Sequence, residues 1–230
     1  MDETLDVLVI APKPSNLPAL AWWTEFNQLT AIEGVTLTVV GDSNATRAPV
    51  SQALRRQYDA VIWSGHGHKN TLWLADGSRI DGEWLATQAK CGAPRVFVVA
   101  ACLSAASGDE LESLTGELSR AGINSVGMLV SVEDRAALIY SVEFIRALRA
   151  GADVGQANRV ATRSMEQQCP GAGCGVILVP GLTNGYRAIV DRLARFEGRL
   201  DTIETRLDTL IDLMQRPATS RRTRASTAQT

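Results

Sequence analysis

The chain has 230 residues, of which 45% are hydrophobic, 21% charged and 5% aromatic, a profile that excludes disordered, collagen-like and membrane-embedded classes and allows one well-buried core. Lys and Arg number 23 against 25 Asp and Glu, a formal charge of −2, so no global basic field draws the protein to nucleic acid or to an anionic membrane, and neither is expected as a partner. The charge is unevenly placed: 217–230 carries Arg221, Arg222 and Arg224 and no acid, which leaves −5 on everything before it once those three are taken from the total.

Short apolar runs alternate with amphipathic stretches along the chain, the pattern of an α/β protein with a mostly parallel sheet flanked by helices. The runs are Asp6–Ala11, Val35–Val40, Ala60–Ser64, Arg95–Ala101, Ser125–Ser131 and Gly175–Val179. They are rich in β-branched residues and mostly continuous rather than alternating, which reads as burial on both faces. Helices are expected at Ala19–Thr30, Ser51–Gln57, Asp81–Ala89, Gly108–Ala121, Asp134–Ala150 and Asp153–Gln168, with Gly122 and Gly151 as stops for two of them. The segment Thr71–Ile80 differs, and its two short strands around Asp76-Gly77 read as a β-hairpin.

After Gly185 the pattern becomes a single long helix. Tyr186, Ile189, Leu193, Phe196, Leu200, Ile203, Leu207, Leu210 and Met214 are spaced by alternating threes and fours, the heptad pattern of a coiled coil. With Leu193, Leu200 and Leu207 at position a, the flanking Arg192 and Arg199 face Glu197 and Glu204 of a parallel neighbour. Leu at a with Ile at d favours three or four strands over two. The alternative is a helix packed back on its own domain. Pro217 ends this helix, so the expected organisation is an α/β domain at 1–182, a coiled-coil oligomerisation or docking helix at 186–216 and a disordered basic tail at 217–230.

The four cysteines, Cys91, Cys102, Cys169 and Cys174, are too scattered for a disulfide scaffold. The acidic start, Met1-Asp2-Glu3-Thr4, lacks the basic flank of a secretory signal, and no apolar stretch approaches the ~20 residues that span a bilayer. A reducing cytoplasm with free thiols is the expected setting. Both histidines lie in one loop, Trp63-Ser-Gly-His-Gly-His68, directly after a buried strand. The neighbouring strand delivers Cys102 at the same end, where ligands gather in an open parallel sheet. This pairing suits attack by a thiolate, with an imidazole of that loop moving the proton and the N–H groups of Gly67 and Cys102 holding an oxyanion. The competing reading is a small buried cysteine and a surface histidine loop.

These residues also carry a family resemblance. Tyr58–Gly67, Leu72–Gly77, Val96–Ser104, Ala121–Gly127 with Glu133-Asp134, and Phe144–Asp153 resemble, in order, the successive motifs of CHAT domains, the bacterial branch of the caspase-like cysteine peptidases. The resemblance covers Val7 to Val179 and implies a caspase-like fold. It also implies a His66–Cys102 dyad acting on a protein substrate, with no cofactor. Control by assembly, or by a sensor or regulator protein in an antiviral defence or programmed-death system, is implied as well. His68 sits one residue past the motif. The caspase pattern around the cysteine is absent, since Ala100 precedes Ala101-Cys102 and Leu103-Ser104 follows, which argues against cleavage after Asp. Related peptidases that cut after Arg or Lys often carry an acid two residues before the cysteine, where this chain has Ala100.

Candidate substrate-binding residues are Glu133 and Asp134, as a negative wall, and Trp63, which with Trp73 and Trp84 can line an apolar pocket. For Asp134 the alternative is a helix cap, and for the tryptophans a place in the core. Cys169-Pro-Gly-Ala-Gly-Cys174 offers one thiol pair, but zinc needs four ligands and no second pair is at hand, so no metal is expected. Neither a phosphate-binding Gly-Lys-Ser/Thr nor a dinucleotide fingerprint is present. A catalytically silent adaptor working through its coiled coil is the rival from another class.

Overall fold

The computed structural model describes residues 4–20, 22–68, 70–102, 104 and 113–182. The expected coiled coil and tail, 186–216 and 217–230, lie outside the described residues, as does Leu103. The elements run β1 (Leu5–Pro12), α1 (Trp22–Thr30), β2 (Val35–Asp42), α2 (Arg47–Leu54), β3 (Ala60–Ser64), β4 (Gly67–His68), β5 (Thr71–Trp73), β6 (Arg79–Asp81), α3 (Gly82–Gly92), β7 (Val96–Ala100), α4 (Leu114–Arg120), β8 (Asn124–Met128), α5 (Asp134–Arg149), α6 (Val154–Gln168) and β9 (Val176–Val179).

Six strands form the main sheet in the order β2-β1-β3-β7-β8-β9. Every pairing in it is parallel except β8 with β9, which is antiparallel. The expected hairpin is present: β5 and β6 pair antiparallel, and β4 adds a third strand that the sequence pattern did not announce. Helix α2 begins four residues before the expected Ser51, because Thr46 takes the extended N-cap conformation and Pro49 falls in the first turn, where its missing N–H costs nothing. Asp153 closes a capping box with Gln156, which fixes the start of α6.

The period of two along each strand divides the core between the two faces of the sheet. Val7, Val9 and Ala11 of β1, Ala60 and Ile62 of β3, and Val96 and Val98 of β7 pack with α1, α5 and α6. Leu8 and Ile10, Val61 and Trp63, and Phe97 and Val99 pack on the opposite face with α2, α3 and α4. Ser64 and Ala100 end β3 and β7 directly opposite each other, and their parity puts them on the α1/α5 side. Among the described residues no helix is long and apolar enough to cross a membrane.

Candidate active site

His66 and Cys102 each lie two residues beyond the Ser64–Ala100 pair, so parallel register carries both to the carboxyl end of adjacent strands. The two chain segments touch through Gly67. A Cβ built there would lie 2.9 Å from Ala101 Cβ, 3.1 Å from Leu72 Cδ2 and 3.3 Å from the Cys102 carbonyl oxygen. Only glycine admits that approach.

The His66 ring is fixed from the other side. Its Nε2 lies 2.8 Å from the carbonyl oxygen of Pro18, in the segment after β1. A carbonyl accepts only, so Nε2 carries the proton and donates, and Nδ1 is left as the ring's acceptor. The Cys102 thiol has different partners: Sγ lies 3.3 Å from Ser131 Oγ and 3.8 Å from the Val132 carbonyl oxygen, both between β8 and α5. Among the described residues no hydrogen bond joins His66 to Cys102. The structure thus brings the two segments together while the thiol rests against the β8–α5 loop.

Backbone donors at the site follow from the small sheet. The Trp73 N–H donates to the His66 carbonyl, which makes Gly67 and Leu72 a non-hydrogen-bonded pair of the antiparallel ladder. The Gly67 N–H therefore stands outside the ladder. The cysteine segment is braced by Ser104, which is fully buried. Its hydroxyl donates to the Val99 carbonyl (3.1 Å) and accepts from the Met128 N–H (2.9 Å), tying the end of β7 to the end of β8.

Trp63 requires a correction as a substrate-binding candidate. It is fully buried, and its odd parity sends it to the α2/α3/α4 core, away from the face that Ser64 and Ala100 present. Trp73 and Trp84 lie under the guanidinium groups of Arg79 and Arg47, at 4.1 and 5.1 Å from the ring centroids. Glu133 is exposed and occupies the N-cap of α5 without a side-chain cap bond. Asp134 is the first residue of α5 rather than its cap, and it lines a cavity of about 510 Å³ between α1 and α5.

That cavity also takes in Ser64, Ala100 and a residue the sequence reading passed over, Glu25. Trp22, Glu25 and Leu29 share the buried face of α1, so the signal was present as an acid at helical spacing on an apolar stripe. Glu25 is 2% exposed, and its Oε1 has no hydrogen-bond partner. Burial raises its pKa above the usual carboxylate range; the hydroxyls of Ser64 and Ser141 work against that rise and the charge of Asp134 adds to it. Among the described residues no three His, Cys, Asp or Glu side chains gather as a metal site. The Gly-rich segment after Cys169 is organised instead by Glu166, whose carboxylate accepts from the N–H groups of Gly171 and Gly173 and is held below its ordinary pKa by those bonds.

A six-stranded, mostly parallel sheet with helices on both faces, and a Gly-His-Gly turn packed on an Ala-Cys segment at its carboxyl edge, define a caspase-like domain. The family model for the CHAT domain matches residues 13–205, and the chain belongs to that family. No curated protein sequence matches it. Among solved structures the fold is similar to the Arg specific cysteine proteinase gingipain R, with 16% identity and a TM-score of 0.56 over 79% of this chain and 48% of that one. It is also similar to the complex of the pro- and mature domains of Porphyromonas gingivalis RgpB, with 17% identity and a TM-score of 0.55 over 79% of this chain and 49% of that one. The chain spans about half the length of these proteinases.

Proposed function

We propose that the domain is a cysteine endopeptidase in which His66 and Cys102 form the catalytic dyad. Nδ1 of His66 takes the thiol proton, the thiolate attacks a peptide carbonyl, and the N–H groups of Gly67 and Cys102 hold the developing oxyanion. The imidazolium then protonates the leaving amine, and water releases the acyl group from sulfur. The observation that carries this reading is the contact of the Gly67 turn with Ala101 and Cys102, combined with the donation of His66 Nε2 to Pro18, which fixes the tautomer a general base needs. Membership of the CHAT family and the proteinase neighbours agree with it.

The resting thiol must leave Ser131 and turn toward His66 before reaction, a rotation about its side-chain bond. Such a resting state suits an enzyme switched on by a partner or by assembly through 186–216, in a defence or programmed-death setting in the cytoplasm. The same contact favours the second reading, a silent adaptor. Alkylation of Cys102 by a peptidic electrophile separates them: the enzyme reacts at a rate lost in His66→Ala, whereas an adaptor reacts slowly and equally in both. A chain ending at Gly185 shows a smaller assembly by light scattering if 186–216 oligomerises, and an unchanged assembly counts against that role.

A further inference from the structure

β2 is an outer strand of the main sheet, and among the described residues no strand lies on its far side. Edge strands that stay unpaired are ordinarily short, charged, bulged or broken by proline. This one is 8 residues long and has neither a charge nor a proline from Val35 to Gly41. Its outward groups follow from the ladder. Leu5 stands opposite Val35 and its N–H donates to the Gly34 carbonyl, so the even residues bond to β1 while Val35, Leu37, Val39 and Gly41 turn their backbone groups outward. Two of those groups are spent in local turns: the Val35 N–H donates to Ile32, and the Gly41 carbonyl accepts from Asn44. The N–H and C=O of Leu37 and Val39, the Val35 carbonyl and the Gly41 N–H have no partner among the described residues.

The helix beside this edge is bare as well. Thr24, Glu25 and Gln28 of α1 line the cavity that lies toward β3, β7 and α5. At about 100° per residue, Trp23, Phe26 and Thr30 therefore occupy the other flank, on the side of the free edge. Trp23 is 55% exposed although it stacks on Trp22 and meets Phe26 edge to face.

We infer that two copies of this chain join through β2, antiparallel about a two-fold axis at Thr38. In that register Leu37 opposes the partner's Val39 and exchanges both hydrogen bonds with it, and the Gly41 N–H meets the partner's Val35 carbonyl. The two groups already spent in turns face each other. An axis at Leu37 or Val39 would set free groups opposite spent ones. The charges agree with the same register. The Arg149 guanidinium lies against Gly34, which comes opposite the partner's Asp42, and Arg149 forms no ion pair among the described residues. Asp42 reaches the α1/α5 side of the sheet, where Arg149 lies, because Trp22 Nε1 on α1 donates to its carboxylate at 3.3 Å. The two-fold keeps both α1 helices on one side, so the Trp23–Phe26 flanks of the copies meet across the seam. This surface is separate from 186–216, and it closes a sheet edge that a single copy leaves open.

The test uses the full chain, with its subunit number read by analytical ultracentrifugation. Thr38→Lys, checked for folding by its melting curve, sets two ammonium groups face to face at the axis and should lower that number at least twofold. An unchanged number overturns the proposal. Thr38→Cys tests the register without a charge. Across the axis the two Thr38 Cα atoms lie about 4.5 Å apart as a non-hydrogen-bonded pair, whereas the two Thr36 positions are separated by four residues of rise, about 14 Å. A short bismaleimide should couple position 38 to itself, as identified by peptide mass mapping against the parent chain with its own thiols, and should couple Thr36→Cys at least tenfold less. Equal coupling at both positions, or none at 38, overturns the assignment.

Discussion

His66 Nε2 donates to the Pro18 carbonyl oxygen across 2.8 Å, joining the segment after the first strand to the loop after the third. The backbone thereby does the orienting work that a carboxylate does in Ser-His-Asp hydrolases. It follows that the two ring nitrogens are not equivalent. Installing Nδ1-methylhistidine at position 66 should abolish thiol alkylation above background, because the acceptor is blocked. Nε2-methylhistidine removes only the Pro18 bond and should slow the reaction by about tenfold, the worth of one hydrogen bond. Alkylation rates of the two proteins check this, and equal losses would contradict the assigned tautomer.

Gly67 is constrained by space rather than by backbone conformation. Its φ is not among the positive values, yet an added methyl would meet Ala101 Cβ at 2.9 Å and Leu72 Cδ2 at 3.1 Å. Gly67→Ala must push the histidine turn away from the cysteine segment. Overpacking of this kind costs about 1–3 kcal/mol, or a melting temperature lower by roughly 2–4 °C for each kcal/mol in a domain of this size. Thermal unfolding should show that loss, together with slower alkylation of Cys102. A stable variant with slow alkylation would mean the turn moved at no energetic cost.

How much of this was legible beforehand depended on whether the signal was periodic or positional. Strand runs such as Val96–Ala100 and helices such as Asp134–Arg149 were readable because burial imposes a period on the chain. The meeting of the Gly67 turn with the Ala101-Cys102 segment was readable because adjacent parallel strands deliver their following loops to one edge. Trp63 was misassigned because parity, not proximity in sequence to His66, decides which face a strand residue joins. Pro18 and Ser131 reach the site from segments distant in sequence, through contacts that no local pattern encodes, and Glu25 meets the strand-end residues Ser64 and Ala100 at their cavity in the same way. Even so, an acid between Trp22 and Leu29 on an apolar stripe was a warning in the sequence itself.

Ser104 tests whether the cysteine segment needs its anchor. The hydroxyl is fully buried and bridges the Val99 carbonyl and the Met128 N–H. Ser104→Ala leaves both backbone groups unpaired inside the protein, at a cost of about 1–3 kcal/mol. Ser104→Thr keeps the hydroxyl but adds a methyl to a packed position, so it should recover part of the loss at most. Denaturant unfolding of the two variants gives the comparison, and an unperturbed Ser104→Ala would show that water or a neighbour replaces the bridge.

Glu25 ties stability to pH in the opposite sense from a salt-bridged acid. Its pKa is raised in the folded state, first by burial and then by Asp134, so the native protein holds the proton where the unfolded chain has released it. Its contribution is fully present below the unfolded value and is lost as pH rises from about 4 toward the folded value. The charged groups that line the cavity with it are Asp134, Arg135 and Glu143 of α5. Glu25→Gln removes the ionisable proton while keeping the shape. Its melting temperature should exceed that of the parent by a few degrees at neutral pH, at about 2–4 °C per kcal/mol of relief, with the gap closing toward pH 4. A gap independent of pH would show that Glu25 is not the titrating group.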